Sequence, residues 1–518
     1  MASLAELGEL PEGVVSLLDT DLYKLTMQCA ILMYMPDIRT SEAPPMVAFY
    51  SYFAEVTYAF TNRTPEMRLN RIAFNWLREQ VSRLGNHFLT PDEKQYLRET
   101  CPYFSDTYLR FLGTFKLNPA SQVKMTFKPV KDTRSLGDVG DISIEVGGAW
   151  LDTILYEIPL LALTSEAYFR FCERDWDRDG QEEKAYEKAT TLIEHGCNFS
   201  EFGTRRRRDY HTQELVMQGL TRAAAEGREK GLSGRLSGTS NVHFAMKHGL
   251  QPIGTVAHEW FMGIASITDD YEHASETALR YWVGCFGEGV LGIALTDTFG
   301  TPIFLKAFKK AMPNIAEAKM DSSPTTLRPE APRPAITDSS TVVNVNPANI
   351  ASLKVDDSDA KPRSYAETFT GVRQDSGDPL EFVQLMRDFY DSQGITDKKT
   401  LVFSDSLNID LCLKYKEAAE KAGFAPTFGI GTYLTNDFVH MLTGKKSAPL
   451  NIVIKLFSAS GRPAIKISDN VGKNTGDSET VSKVKESLGY KEKEWAQGDE
   501  RTRWGQGDQE ASAAEVQA

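Results

Sequence analysis

LVFSDSLN, residues 401–408, is a short apolar run that ends abruptly in polar side chains, and that form decides the fold. It recurs in PIGTVAHEW (252–260), LGIALTDTF (291–299), APTFGIGT (425–432) and NIVIKLF (451–457), with long helical patterns between the runs from about Pro159 onward. Buried runs that hand polar groups to the next turn, alternating with helices, have the rhythm of βα units around a parallel sheet. In such folds the carboxyl ends of the strands carry the chemistry.

Working outward, Leu18, Leu22, Leu25, Cys29 and Leu32 recur at three- and four-residue steps, which predicts a helix over about Leu17 to Tyr34 with Asp19 or Thr20 as its cap. MVAFYSYFAEVTYAF (46–60), VKMTFKPV (123–130) and DISIEVGG (141–148) read as strands of a smaller sheet. These patterns divide the chain into an N-terminal α+β domain (1–147), an α/β catalytic domain (148–483) and a polar C-terminal extension (484–518). Residues 321–363, rich in Ser, Pro, Thr, Ala and Asp, are expected to be a disordered insertion, because they bury too little apolar surface to offset ordering entropy.

A chain of 518 residues, 41% hydrophobic and 25% charged, can bury a large interior. No apolar run approaches the roughly 18 to 20 residues of a membrane span. The opening MASLAELGELPEG lacks the basic and apolar regions of a secretion signal. Six scattered cysteines without a CxxC pair suggest neither a disulfide framework nor a thiolate zinc site, so a reducing compartment, cytoplasmic or nuclear, is expected. The net charge of -13 argues against nucleic acid as a partner, while local cations can still build a pocket for small anions.

Several stretches carry candidate chemistry. EFGTRRRRDY (201–210) sets a Gly-Thr turn before four arginines, whose guanidinium forks suit an anion, although a solvated basic helix start reads the same way. GTSNV (238–242) offers free N–H groups at a helix start, as ordinary N-capping also does. His258, after a run expected to be a buried strand, stands where a reacting imidazole would; Met262 at the fourth position beyond it excludes an HExxH zinc site. GVRQDSGDP (371–379) combines Arg373, to clamp an anion, with Asp375 or Asp378 to hold a divalent ion or a ribose hydroxyl, and an Asx turn with a helix cap is the plainer alternative. Asp297 and Asp405 end two other runs, and Gly429, Gly431 and Thr432 form a turn that a phosphate can approach closely.

LLDTDLYKLTMQ, FGTRRR, GTSNV, PIGTVAHEW, LTDTF, GVRQDSGDP, SDSLN and FGIGT stand in the order found in nicotinate phosphoribosyltransferases, and the chain resembles fungal members of that family most. The resemblance implies an irregular TIM-like α/β barrel of the type II phosphoribosyltransferase kind, with a smaller N-terminal domain, and a homodimer. It implies transient phosphorylation of His258 by ATP, with Asp375 and Asp297 beside it as catalytic carboxylates. Tyr23, Thr255, Arg206 and Arg373 would bind nicotinate. Ser240, Asn241, Asp405, Gly429, Gly431 and Thr432 would hold phosphoribosyl pyrophosphate, and Asp375 would bind Mg2+. Rival readings are a phosphoribosyltransferase for nicotinamide or quinolinate, and a silent nucleotide-binding barrel acting through partners.

Overall fold

Parallel strands need long crossovers and buried faces on both sides, and the chain supplies both. In the computed structural model, which describes residues 12–35, 54–313, 362–470 and 474–490, six strands form one sheet. Their order is Arg235–Thr239, Asn198–Glu201, Ala425–Ile430, Thr400–Phe403, Gly371–Gln374 and Ile293–Leu295. Every neighbouring pair is parallel. Ser200, Ser237, Thr427, Val402, Arg373 and Ile293, one from each strand, line one cavity of about 50 Å³. The sheet therefore wraps around its own core as an irregular TIM-like barrel.

Two of the expected barrel strands differ. PIGTV touches the sheet only through a bridge between Thr239 and Pro252. The segment is drawn instead towards the first helix: Thr26 Oγ1 donates to Thr255 O at 2.7 Å, and a Cβ on Gly254 would lie 3.0 Å from Tyr23 N. NIVIKLF leaves the barrel altogether. Ile452–Ala459 pairs antiparallel with Glu55–Asn62 in a second sheet that also holds Val139–Ala149, Val123–Pro129, Leu69–Asn70 and Arg462–Pro463. Its alternation of buried Ile452, Ile454 and Leu456 with Val453 and Lys455 is that of a strand buried on one face. The boundary at 147 is thus crossed by the sheet itself, since strands from both ends of the chain complete it.

The first helix runs Leu22–Tyr34, later than expected, with Asp21 at its N-cap position. Asp19 is no cap. It forms a buried ion pair with Arg207, whose Nη1 and Nη2 reach its two oxygens at 2.8 and 2.9 Å, both side chains being 0% exposed. Burial would raise the Asp19 carboxyl, but Arg207 outweighs it and holds the group below its ordinary value. Arg207 also donates to Gln213 Oε1 and Gly13 O. Removing one partner of such a pair leaves an uncompensated buried charge, so Arg207→Ala is expected to cost about 3 kcal/mol of unfolding free energy, measured by urea denaturation.

Among the described residues no helix is long and apolar enough to cross a membrane. Apart from residues 362, 363 and 484–490, the expected insertion and C-terminal extension lie outside the described residues, as does the start of MVAFYSYFAEVTYAF.

Candidate active site

His258 opens the helix His258–Thr268 where the 252–257 segment ends, so the first helical turn presents its imidazole at the mouth of the barrel. Nδ1 lies 3.0 Å from Thr298 Oγ1, while Nε2 lies 2.9 Å from Asp375 Oδ2, 2.8 Å from Lys466 Nζ and 3.7 Å from Asp297 Oδ1. Lys466 reaches Asp297 Oδ2 at 3.1 Å, and Ser376 donates to the same oxygen. Burial, reinforced by Lys466, holds the imidazole below its ordinary value in spite of the two carboxylates. The ring is therefore neutral at neutral pH, with a lone pair to offer. Burial alone would raise Asp375, but the adjacent His258, Arg373 and Lys466 together hold its carboxyl well below the usual range. Lys466 and His258 likewise outweigh the effect of burial on Asp297.

From this cluster a cavity opens in two lobes of about 210 and 190 Å³, which share His258, Asp375, Arg205, Gly429 and Gly431. The first lobe carries Arg206, Asp405 and Thr432, and the second carries Tyr23, Ser240 and Arg373. Arg373 Nε is buried without a hydrogen-bond partner, and the side chain also faces the interior cavity beside Thr255. Arg205 projects into both lobes among Glu157, Asp21 and Asp375. Two glycines permit this packing. A Cβ on Gly429 would lie 2.3 Å from the Phe202 ring, and one on Gly203 would lie 2.1 Å from Thr435 Oγ1.

Most of the residues singled out from the sequence therefore converge, with distinctions the letters did not carry. Arg206 lines the first lobe but spends Nε on Ile452 O and Nη2 on Asn451 Oδ1, both at 3.1 Å. Asn241 lines neither lobe: its Nδ2 donates to Asp19 at 2.8 Å, and its Oδ1 caps the helix Val242–His248 by accepting from Phe244 N. Ser240 reaches the second lobe with its hydroxyl donated to Asp21. Asp378 is the helix cap, accepting from Leu380 and Glu381 N, which leaves Asp375 to the cavity.

Of the four arginines, only Arg205 and Arg206 face the cavity. Arg208 is sandwiched between the Phe169 and Phe438 rings and paired with Glu173.

Lys466, Lys455, Arg205 and Phe202 were not singled out. Lys466 sits between Ile465 and Ile467 in AIKISDN and does not end its apolar run, so only its tertiary position reveals it. Phe202 could have been noticed as the one apolar residue between Glu201 and Gly203.

Behind His258, Lys24 is fully buried between Glu157, at 2.5 Å, and Glu259, which also accepts from Tyr58 and Trp150. This network joins the helix that carries Tyr23 to the one that carries His258.

His258, Asp297 and Asp375 bring one ligand atom each within 4.8 Å of one another. The Lys466 ammonium already supplies positive charge there, and an imidazole nitrogen suits Mg2+ poorly. Asp375 and Asp405, carboxylates on the first lobe, fit it better.

Guanidinium and ammonium groups gathered around a neutral imidazole at the open end of a barrel are the equipment of an α/β enzyme that works on anionic substrates. Comparison with known proteins narrows the class. Residues 197–318 and 348–492 match the nicotinate phosphoribosyltransferase (NAPRTase) family, and residues 46–165 match the N-terminal domain of that family. A nicotinate phosphoribosyltransferase of Saccharomyces cerevisiae is 42% identical over 95% of this chain and 99% of its own length. A relative in Schizosaccharomyces pombe, described as a probable nicotinate phosphoribosyltransferase, is 43% identical over 92% of this chain and 98% of its own length. A solved nicotinate phosphoribosyltransferase from Porphyromonas gingivalis, 28% identical, covers 92% of this chain and 100% of its own with a TM-score of 0.68; a Saccharomyces cerevisiae structure given the same assignment reaches 0.76 at 41% identity, over 93% of this chain and 100% of that one. The chain belongs to the nicotinate phosphoribosyltransferase family.

Proposed function

We propose that this enzyme joins nicotinate to phosphoribosyl pyrophosphate, forming nicotinate mononucleotide and pyrophosphate for NAD biosynthesis. The observation that carries the reading is Arg373, whose Nε has no partner although it is buried beside Tyr23, Phe202 and Asp375. A carboxylate on an aromatic ring answers that need. Tyr23 and Phe202 bound the ring, and Thr255 lies behind it. Gly429, Gly431 and Thr432 receive the ribosyl 5-phosphate in the other lobe, with Arg205 and Arg206 near its charge.

The ring nitrogen forms the new bond to the sugar's anomeric carbon as the bond to pyrophosphate breaks and its electron pair leaves with that group. Positive charge develops on the sugar, so the chain's task is to align nucleophile and leaving group and to stabilise the departing anion. Asp375 and Asp405 would hold Mg2+ together with the pyrophosphate, where the ion neutralises developing negative charge.

ATP enters through His258. Thr298 Oγ1 accepts Nδ1–H, which leaves the Nε2 lone pair to form an N–P bond with the terminal phosphoryl group as ADP departs. Lys466, 2.8 Å from Nε2, is placed to meet the incoming charge. The phosphoryl group adds acceptor oxygens beside the donor lobe, and water later removes it. The enzyme acts as a homodimer in the cytoplasm or the nucleus.

Purified protein with Mg2+, ATP and phosphoribosyl pyrophosphate is expected to release pyrophosphate when nicotinate is added, and far less with nicotinamide or quinolinate at equal concentration. Preference for the amide or the diacid would refute the substrate, and no release from any of them would favour a silent barrel.

A further inference from the structure

The turn that carries Gly431 and Thr432 has little structure of its own. After the strand Ala425–Ile430 it makes one helical turn, Thr432–Thr435, and passes through Asn436 and Asp437 before the short strand at Phe438. A segment so short cannot set its backbone against a substrate without outside support.

That support comes from two sides. On one, Thr435 Oγ1 donates to Gly203 O at 3.0 Å and Asn436 Nδ2 to Arg206 O at 2.8 Å, which ties the turn to the arginine loop. On the other stands the helix Gln181–Glu194. Its Lys188 Nζ donates to Tyr433 O at 2.6 Å and to Asp437 Oδ2 at 2.5 Å, and lies 4.0 Å from the centre of the Tyr433 ring. Lys184 and Gln181, on the same helical face, donate to Asp437 O at 2.9 and 3.3 Å. Lys188 is only 8% exposed. Desolvating an ammonium is costly, and here the cost is offset by two acceptors on one turn, which fixes that turn against the helix. The carbonyl it grips belongs to Tyr433, next to Thr432, and both residues line the first lobe.

We infer that Lys188, remote from the reacting atoms, is a positioning residue for the ribosyl donor: through Tyr433 and Asp437 it sets the turn that receives the 5-phosphate. The inference rests on the assignment of that turn to the phosphate. Loss of the clamp acts on one substrate, because Thr432 and Tyr433 line the donor lobe and not the other, whereas Tyr23 and Arg373 line the nicotinate lobe and not the first.

The test is the KM for each substrate, with kcat and Tm, in Lys188→Met, Lys188→Arg and Asp437→Asn. Lys188→Met is expected to raise the KM for phosphoribosyl pyrophosphate about tenfold, as loss of one charge-assisted hydrogen bond does, while the KM for nicotinate and kcat stay within about threefold. Lys188→Arg restores most of the difference, and Asp437→Asn shifts the same KM in the same direction by a smaller factor. Equal rises in both KM values, or an unchanged donor KM in a folded Lys188→Met protein, would overturn the inference. If that variant does not fold, Asp437→Asn decides: an unchanged ratio of the two KM values counts against the clamp. Thr432→Val separates the underlying assignment, since an unchanged donor KM there means that the turn is not the phosphate site, whatever Lys188 does.

Discussion

Arg373→Ala lowers kcat/KM for nicotinate about a thousandfold, or roughly 4 kcal/mol, the scale of truncating one side of a desolvated charge pair. The effect is expected to be this large because Arg373 finds no hydrogen-bond partner for Nε among the described residues and faces the second lobe from within the barrel. In the proposed function the substrate carboxylate satisfies it, and without Arg373 that carboxylate enters a half-closed site with nothing to replace its water. The neutral amide makes no comparable demand, so its smaller rate should change by no more than about threefold. The measurement is the ratio of kcat/KM for nicotinate and nicotinamide in both proteins. Selectivity should collapse in the variant. If both rates fell by the same factor, Arg373 would be a fold residue or a donor-phosphate ligand, and the carboxylate assignment would fail.

His258→Ala is expected to abolish the stimulation of turnover by ATP while leaving a slow ATP-independent transfer. The reason is local. Nε2 is the one nucleophile held between Asp375 and Lys466, and burial keeps it unprotonated. Alanine removes the proposed phosphoryl acceptor but leaves Arg373, Arg205 and the Gly429 to Thr432 turn, which are proposed to position the two anions at the sugar. Rates with and without ATP, together with ADP formed per mononucleotide, give the answer. Unchanged stimulation in the variant would exclude this histidine as the carrier, and complete loss of transfer without ATP would mean that phosphorylation is part of the chemical step itself.

Much of this architecture was legible because the signals were local. Three of the five runs ending in small or charged residues are barrel strands and marked the barrel's chemical rim, where Asp297, Asp405 and Gly429 lie with Asp375. The misplacements share a cause. NIVIKLF is apolar enough for either sheet, and only its pairing with Glu55–Asn62 sends it to the antiparallel one. Asp19 has the letters of a cap, yet a guanidinium from residue 207 claims it. Asn241 reads as an anion ligand and serves instead as a cap and a second partner for Asp19. For Asp19 and Asn241 a short polar side chain satisfies a local rule and a distant partner equally well, and the choice depends on which groups burial leaves unsatisfied.

What the letters alone determined was a set of candidate groups and, for Asp297, Asp375 and Asp405, their placement at strand ends, since hydrophobic runs and turn residues follow from interactions within a few positions of each other. The tertiary structure alone decided which cations are spent on the scaffold and which face the substrates: Arg207 and Arg208 are consumed by Asp19 and Glu173, while Arg205, Arg373 and Lys466 reach the cavity. The physical reason is that a charge is held by whatever opposite charge folding brings within a few ångströms, and that distance does not depend on separation along the chain.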